Sequence, residues 1–210
     1  MNKIVLNDWR KYKIWWKAMC IIDWANIQKT YCEINWINNF KESYKVLKEI
    51  LGLIFNFSKL DKKDIFVFVW IDEKIYWSLR FVNELENNFK NINIISKRVK
   101  KIKLKDWTIK RKADFDSYIW CKLCRNIDNF KSFIIFSSDW DFSQIYEDIL
   151  KNWKQLIVFH GFSLEEKVFL SKNRQIKKKI KKYNLWKEVW ELKNKYNNLL
   201  VISIDKILEK

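Results

Sequence analysis

Six short apolar runs, separated by amphipathic segments, limit this chain to a narrow set of folds. They are AMCIID (Ala18 to Asp23), DIFVFV (Asp64 to Val69), INIISKRV (Ile92 to Val99), KSFIIFSS (Lys131 to Ser138), KQLIVF (Lys154 to Phe159) and LLVISI (Leu199 to Ile204). Helical spacing fills the intervals: ANIQKTYCEI, Phe40 to Phe55, Ile75 to Phe89, about Phe115 to Ile127, Phe142 to Asn152, and a stretch near Leu164. Strand-length runs alternating with helices mark an α/β fold with a mainly parallel sheet, covered by helices on both faces. The expected sheet has about five to six strands. The 210 residues suffice for one such domain with a buried core. No internal repeat or Pro/Gly/Ser linker divides it. The expected organisation is a basic extension over 1–17, the domain over 18–162, and a basic helical segment with a final strand over 163–210, packed on the same domain.

Lysine and arginine number 42 against 25 acids, a formal charge of +17. That excess favours a polyanionic partner, nucleic acid before an anionic membrane surface. Without a bilayer-length apolar run or a signal-peptide core, the expectation is a soluble cytoplasmic protein, with no membrane partner and nothing that indicates a homo-oligomer. Of the four cysteines, Cys121 and Cys124 form one CxxC. No second pair completes a four-ligand zinc site, so they read as helix residues and Cys20 as a buried strand residue.

Two glycines, no proline and 13 tryptophans are an odd complement for an α/β domain. Tight turns and helix C-caps need residues that take positive φ freely. Four tryptophans stand where such glycines belong. Trp24 and Trp140 follow strands, Trp153 lies between a helix and a strand, and Trp107 follows Asp106 in a polar loop. Indoles at such turns are expected to be exposed. Some bacteria read UGA as glycine where another translation table reads tryptophan, and the expectation is that many of these positions are glycines in the cell.

Carboxylates gather at strand ends. Asp23 closes the first strand, Asp139 and Asp141 follow the fourth, and Asp116 opens the helix before it. Parallel strands share one carboxyl edge, where ligands bind. Any one of these aspartates alone is explained by a helix cap or solvated turn. Converging carboxylates repel, and must take up protons or a cation. Oxygen-only ligands suit Mg2+ or Mn2+. On so basic a chain, a hard cation points to phosphodiester chemistry. Asn26, one turn after Asp23, adds a neutral oxygen and an amide. Residues 90–112 carry ten Lys/Arg and one acid, Asp106. This stretch is either a phosphate-tracking rim or a solvated edge guarded by lysines. KNRQIKKKIKK (Lys172 to Lys182) reads first as a solvated helix face. The single His160 ends the fifth strand and reads as structural. Phe66, Phe68, Phe133 and Phe136 sit at core spacing.

At these residues the sequence resembles the NYN-domain family, in its bacterial LabA-like branch. IIDWAN (Ile21 to Asn26) is similar to the opening Asp-Gly-x-Asn motif. KRKADFDSYI (Lys110 to Ile119) resembles the Lys-rich turn and Asn-Phe-Asp helix entry. SSDWDF (Ser137 to Phe142) resembles Ser-Gly-Asp-Gly-Asp-Phe. The resemblance spans roughly residues 18 to 160. It implies a PIN-like three-layer α/β/α sandwich and a metal-dependent ribonuclease site. Asp23, Asp116, Asp139 and Asp141 fall on its acidic positions and are the expected catalytic metal ligands. Asn26 and Ser137, with Lys110, Arg111 and Lys112, are the expected substrate-positioning residues. Trp24, Trp140 and Ser138 stand where the family has glycine, Asp114 where asparagine is common, and Lys122 where an acid is frequent. The expected activity is Mg2+- or Mn2+-dependent cleavage of RNA. The alternatives are an RNA-binding regulator that keeps the fold without turnover and, more weakly, a phosphatase-like enzyme lacking its Asp-x-Asp nucleophile motif.

Overall fold

A computed structural model describes Ile14 and residues 16–28, 40–56, 59–72, 76–103, 107, 109–112, 115–160 and 185–204. The expected helix near Leu164, the lysine-rich stretch 172–182, Asp114 and most of the 1–17 extension lie outside these residues.

The elements follow in the order β1 (Ala18–Asp23), α1 (Trp24–Ile27), α2 (Phe40–Ile54), β2 (Ile65–Ile71), α3 (Tyr76–Asn88), β3 (Asn93–Arg98), β4 (Lys100–Lys103), β5 (Ile109–Lys112), α4 (Asp116–Asn126), β6 (Ser132–Phe136), α5 (Ser143–Lys151), β7 (Gln155–His160), α6 (Leu185–Lys195) and β8 (Leu199–Ser203). One six-stranded sheet has the order β3-β2-β1-β6-β7-β8, and every pairing in it is parallel. Strands β4 and β5 form a separate antiparallel ribbon. The fold is thus the expected three-layer α/β/α sandwich, whose main sheet has, among the described residues, six strands and no antiparallel member.

The apolar runs are continuous because both faces of each central strand are covered. In β1, Ala18, Cys20 and Ile22 enter one core with Leu47, Ile50 and Leu51 of α2 and Phe81, Val82 and Leu85 of α3. The alternate residues Met19 and Ile21 enter the other core with Ile119 and Leu123 of α4, Ile145 and Ile149 of α5, and Val189 and Leu192 of α6. Phe66, Phe68, Phe133 and Phe136 are buried. β8 pairs with β7 from Leu156↔Leu199 to His160↔Ser203, so the last apolar run is an edge strand of the main sheet.

Several expected boundaries move. β2 runs on to Ile71, and Asp64 belongs to a preceding 3-10 turn (Lys62–Asp64). Ser137 and Ser138 lie beyond β6, where the chain leaves the sheet for a 3-10 turn over Trp140–Phe142. Of the helix expected after β1, α1 is described, with Gln28 as its C-cap, and the stretch from 29 lies outside the described residues.

The four tryptophan slots divide. Trp107 (φ 63) and Trp153 (φ 57) have left-handed backbone and are the two non-glycine residues that do so among those described. Trp24 departs from the expectation of an exposed indole. It is 1 % exposed, begins α1, stacks on Phe81 at 6.3 Å between centroids, and leaves Nε1 without a hydrogen-bond partner. Trp140 has backbone in the 3-10 turn. Ser138 is buried without positive φ, so its backbone makes no demand for glycine.

Candidate metal centre

The sheet order reverses at β1. The chain steps from β1 outward to β2 and β3, then returns to place β6 on the other side of β1. Such a switch point opens a crevice at the carboxyl ends of its two strands. Asp23 ends β1 there, and the Ser137–Asp141 turn leaves β6 beside it.

A hydrogen-bond web fixes this turn. Asp23 caps α1, its Oδ1 accepting the Asn26 backbone N–H at 3.3 Å. Its Oδ2 accepts from the Ser137 hydroxyl at 3.3 Å, and that hydroxyl oxygen in turn accepts the Asp139 N–H at 3.1 Å. The Asn26 side-chain oxygen accepts the Ser138 N–H at 2.8 Å. Asp139 Oδ1 accepts the Asp141 N–H at 3.1 Å. Residues 112 or more apart in sequence are thereby locked together, and two carboxylates are held one turn of chain apart. Asp116 enters from α4, in whose first turn a carboxylate is favoured by the helix dipole.

The structure brings Asp116, Asp139 and Asp141 together. One carboxylate oxygen from each lies within 4.8 Å of the others, with Asp116 and Asp139 half-buried and Asp141 exposed. Asp23 stands behind this trio rather than in it. At 4 % exposure it is held by Ser137 and Asn26, and its pKa rises to about 7, first because burial removes hydration and then through the charges of Asp116 and Asp139. Asn26 and Ser137 hold the carboxylates. Lys110, Arg111 and Lys112 lie in β5, the strand preceding α4, and their backbones belong to the ribbon.

Two further groups at this edge were not singled out from sequence. Tyr146 of α5 is buried, its hydroxyl has no hydrogen-bond partner, and burial followed by the charges of Asp139 and Asp23 drives its pKa well up. Its position on the apolar face of α5 disguises it as a core residue; a hydroxyl about one helical turn after SSDWDF was the available signal. Asp72, just past β2, is also buried, and its backbone N–H and C=O both meet the Ser78 hydroxyl. His160 is buried at the end of β7, where its carbonyl accepts the Ile204 N–H at 2.7 Å. An open groove of about 630 Å³ lined by Asp61, Lys62, Lys63, Lys90 and Asn93 lies at the opposite edge, where β2 and β3 begin, away from the carboxylates of the switch point.

The donor set fits a hard divalent cation. It supplies oxygen only, from three close carboxylates. A cation there would offset their repulsion and lower the pKa of Asp23.

No family model and no curated protein matches the chain. Among solved structures it is similar to a protein of unknown function from Vibrio parahaemolyticus, with a TM-score of 0.52 and 18% identity over 71% of this chain and 83% of that one. The likeness is one of fold. No helix among the described residues is long and apolar enough to cross a membrane.

Proposed function

We propose that the chain is an Mg2+- or Mn2+-dependent ribonuclease of NYN type. The observation that carries this reading is the meeting of Asp116, Asp139 and Asp141 at the switch-point crevice, with Asp23 buried behind them. The three outer carboxylates would hold the ion. It would supply positive charge to polarise the phosphodiester and acidify a water for in-line attack. Ser137 keeps the Asp23 carboxyl and the Asp139 turn in fixed relation, so the site is assembled before substrate arrives. Asn26 holds the neighbouring peptide in the same way. Asp23 gathers negative charge as its proton leaves, which couples its ionisation to arrival of the cation. The +17 charge of the chain supports RNA as the substrate.

The test is cleavage of single-stranded RNA with Mg2+, Mn2+ or EDTA, comparing the unaltered chain with Asp139→Asn and Asp116→Asn. Cleavage that needs metal and both carboxylates, with RNA binding retained in the variants, is the expected result. Binding without cleavage in any metal would replace this reading with the regulator.

A further inference from the structure

We propose that the β4–β5 ribbon is a clamp for the phosphate backbone of single-stranded RNA beside the acidic crevice. The proposal rests on the ribonuclease reading for its choice of polyanion. Six of the eight strand residues are Lys or Arg. The register sets Lys100 opposite Lys112 and Lys101 opposite Arg111. Like charges directly opposite destabilise an antiparallel pair, so a bound polyanion would relieve a repulsion built into the ribbon. Its place is equally telling. Parallel strands β1, β2 and β3 end at one edge, and Val99, between β3 and β4, still bonds the Ile71 carbonyl at 2.8 Å. The ribbon therefore departs from the carboxyl edge, and β5 delivers the chain within four residues of Asp116. Five of the six cations are lysines, which grip phosphates as point charges and do not read bases bidentately. The clamp is thus indifferent to base sequence.

The experiment measures binding of a short fluorescent oligouridine in EDTA over a salt series. It compares the unaltered chain with K100Q/K101Q/K110Q/R111Q/K112Q and with the charge-retaining K100R/K101R/K110R/K112R. The neutral variant should bind at least about tenfold more weakly, its log–log salt slope shallower by about 0.7 for each phosphate that the ribbon no longer neutralises, and the arginine variant should bind normally. Unchanged affinity and slope in a neutral variant with an unaltered melting curve overturn the clamp. A parallel arm uses phosphatidylserine vesicles, and a neutral variant that loses vesicle binding while keeping oligouridine binding overturns the clamp too. Cleavage that needs Asp139 but has a KM untouched by the ribbon change rejects the clamp alone. Ribbon-dependent binding without cleavage rejects the nuclease alone.

A separate observation concerns translation. We infer that positions 107 and 153 are glycines in the protein the cell makes. Trp153 occupies the C′ position after α5. Its N–H bonds the Leu150 carbonyl at 3.0 Å, and the Lys154 N–H bonds the Ile149 carbonyl at 3.3 Å. These two bonds form a Schellman motif, whose C′ residue is left-handed and usually glycine. Trp107 has the same backbone hand between the two ribbon strands. Both indoles are largely in solvent, at 77 % for Trp107 and 87 % for Trp153, so little burial offsets the steric conflict of a β-carbon at positive φ. The one described glycine, Gly52, lies in α2 and does not have positive φ. The coding DNA should carry TGA at both positions, and W107G/W153G should melt about 5 °C above the tryptophan chain. W107A/W153A, which keeps the β-carbon, should show no such gain. TGG at either position, a glycine variant melting no higher, or an alanine variant matching the glycine one overturns the inference.

Discussion

Like charges crowd two places along one edge of the sheet, and the two differ in burial. At the switch-point crevice, carboxylates converge around a turn whose innermost member, Asp23, is almost wholly buried. In the ribbon, the register sets cationic residues at paired positions of two strands, and Lys100 and Lys103 are exposed. Burial turns repulsion into a change of proton affinity, because the charged form loses hydration. Exposure leaves the ions charged, screened by salt over about 10 Å at 0.1 M, and available to an anion. The acidic crevice should therefore respond to pH and divalent ions, and the ribbon to ionic strength.

The largest test of that contrast is Asp139→Asn. Removing several kcal/mol of charge stabilisation should lower metal-dependent RNA cleavage about 10³-fold, while the salt dependence of RNA binding stays that of the unaltered chain. Single-turnover cleavage and a binding titration measure the two sides.

Next in size is the pH dependence of stability. Asp23 has a folded pKa near 7 against an unfolded value near 3.8. Between these the folded state holds the extra proton, so stability falls as pH rises. The contribution is fully present below the unfolded pKa and is lost by the time pH passes about 7, on the order of 4 kcal/mol in all. Denaturant melts of metal-free protein from about pH 4 to 8 should show the decline, Asp23→Asn should flatten it, and Mg2+ should stabilise most at the alkaline end. A decline of the same size in Asp23→Asn would place its source elsewhere.

The smallest effect concerns Tyr146. A buried hydroxyl without a partner costs about 1–3 kcal/mol, so Tyr146→Phe should stabilise the metal-free protein by about 1 kcal/mol. If the hydroxyl serves the metal site, the same change should weaken Mn2+ binding, measured by calorimetry. Stabilisation without any change in Mn2+ affinity would make Tyr146 a core residue alone.

The contrast also shows which parts were legible in sequence. The strands were, since AMCIID or KQLIVF has the length and composition of a strand buried on both faces. Their ends were less so, because apolar character does not stop where sheet bonding stops: Asp64 and Ser137 join the runs chemically but not the sheet. The acidic motifs could be placed at strand ends, yet their spacing could not separate the Asp116, Asp139 and Asp141 trio from Asp23 behind it. That separation depends on depth, and depth is created by packing α1, β1 and β6 together. Tyr146 and Asp72 were missed because a tyrosine at core spacing and an acid after a strand are ordinary until their surroundings are known. The ribbon's charge was plain in residues 90–112, but its cation-against-cation register was not.

By itself the sequence determined the alternation of strands and helices, the excess of positive charge and four tryptophans at turn positions, because each follows from local composition and chain geometry; the left-handed backbone at 107 and 153 came from the structure. Only the tertiary structure decided that β1 and β6 would be neighbours, that Trp24 would be buried, and which carboxylates would lie within reach of one another. Those outcomes depend on groups far apart in the chain being brought within a few ångströms, where desolvation and charge–charge repulsion first become large.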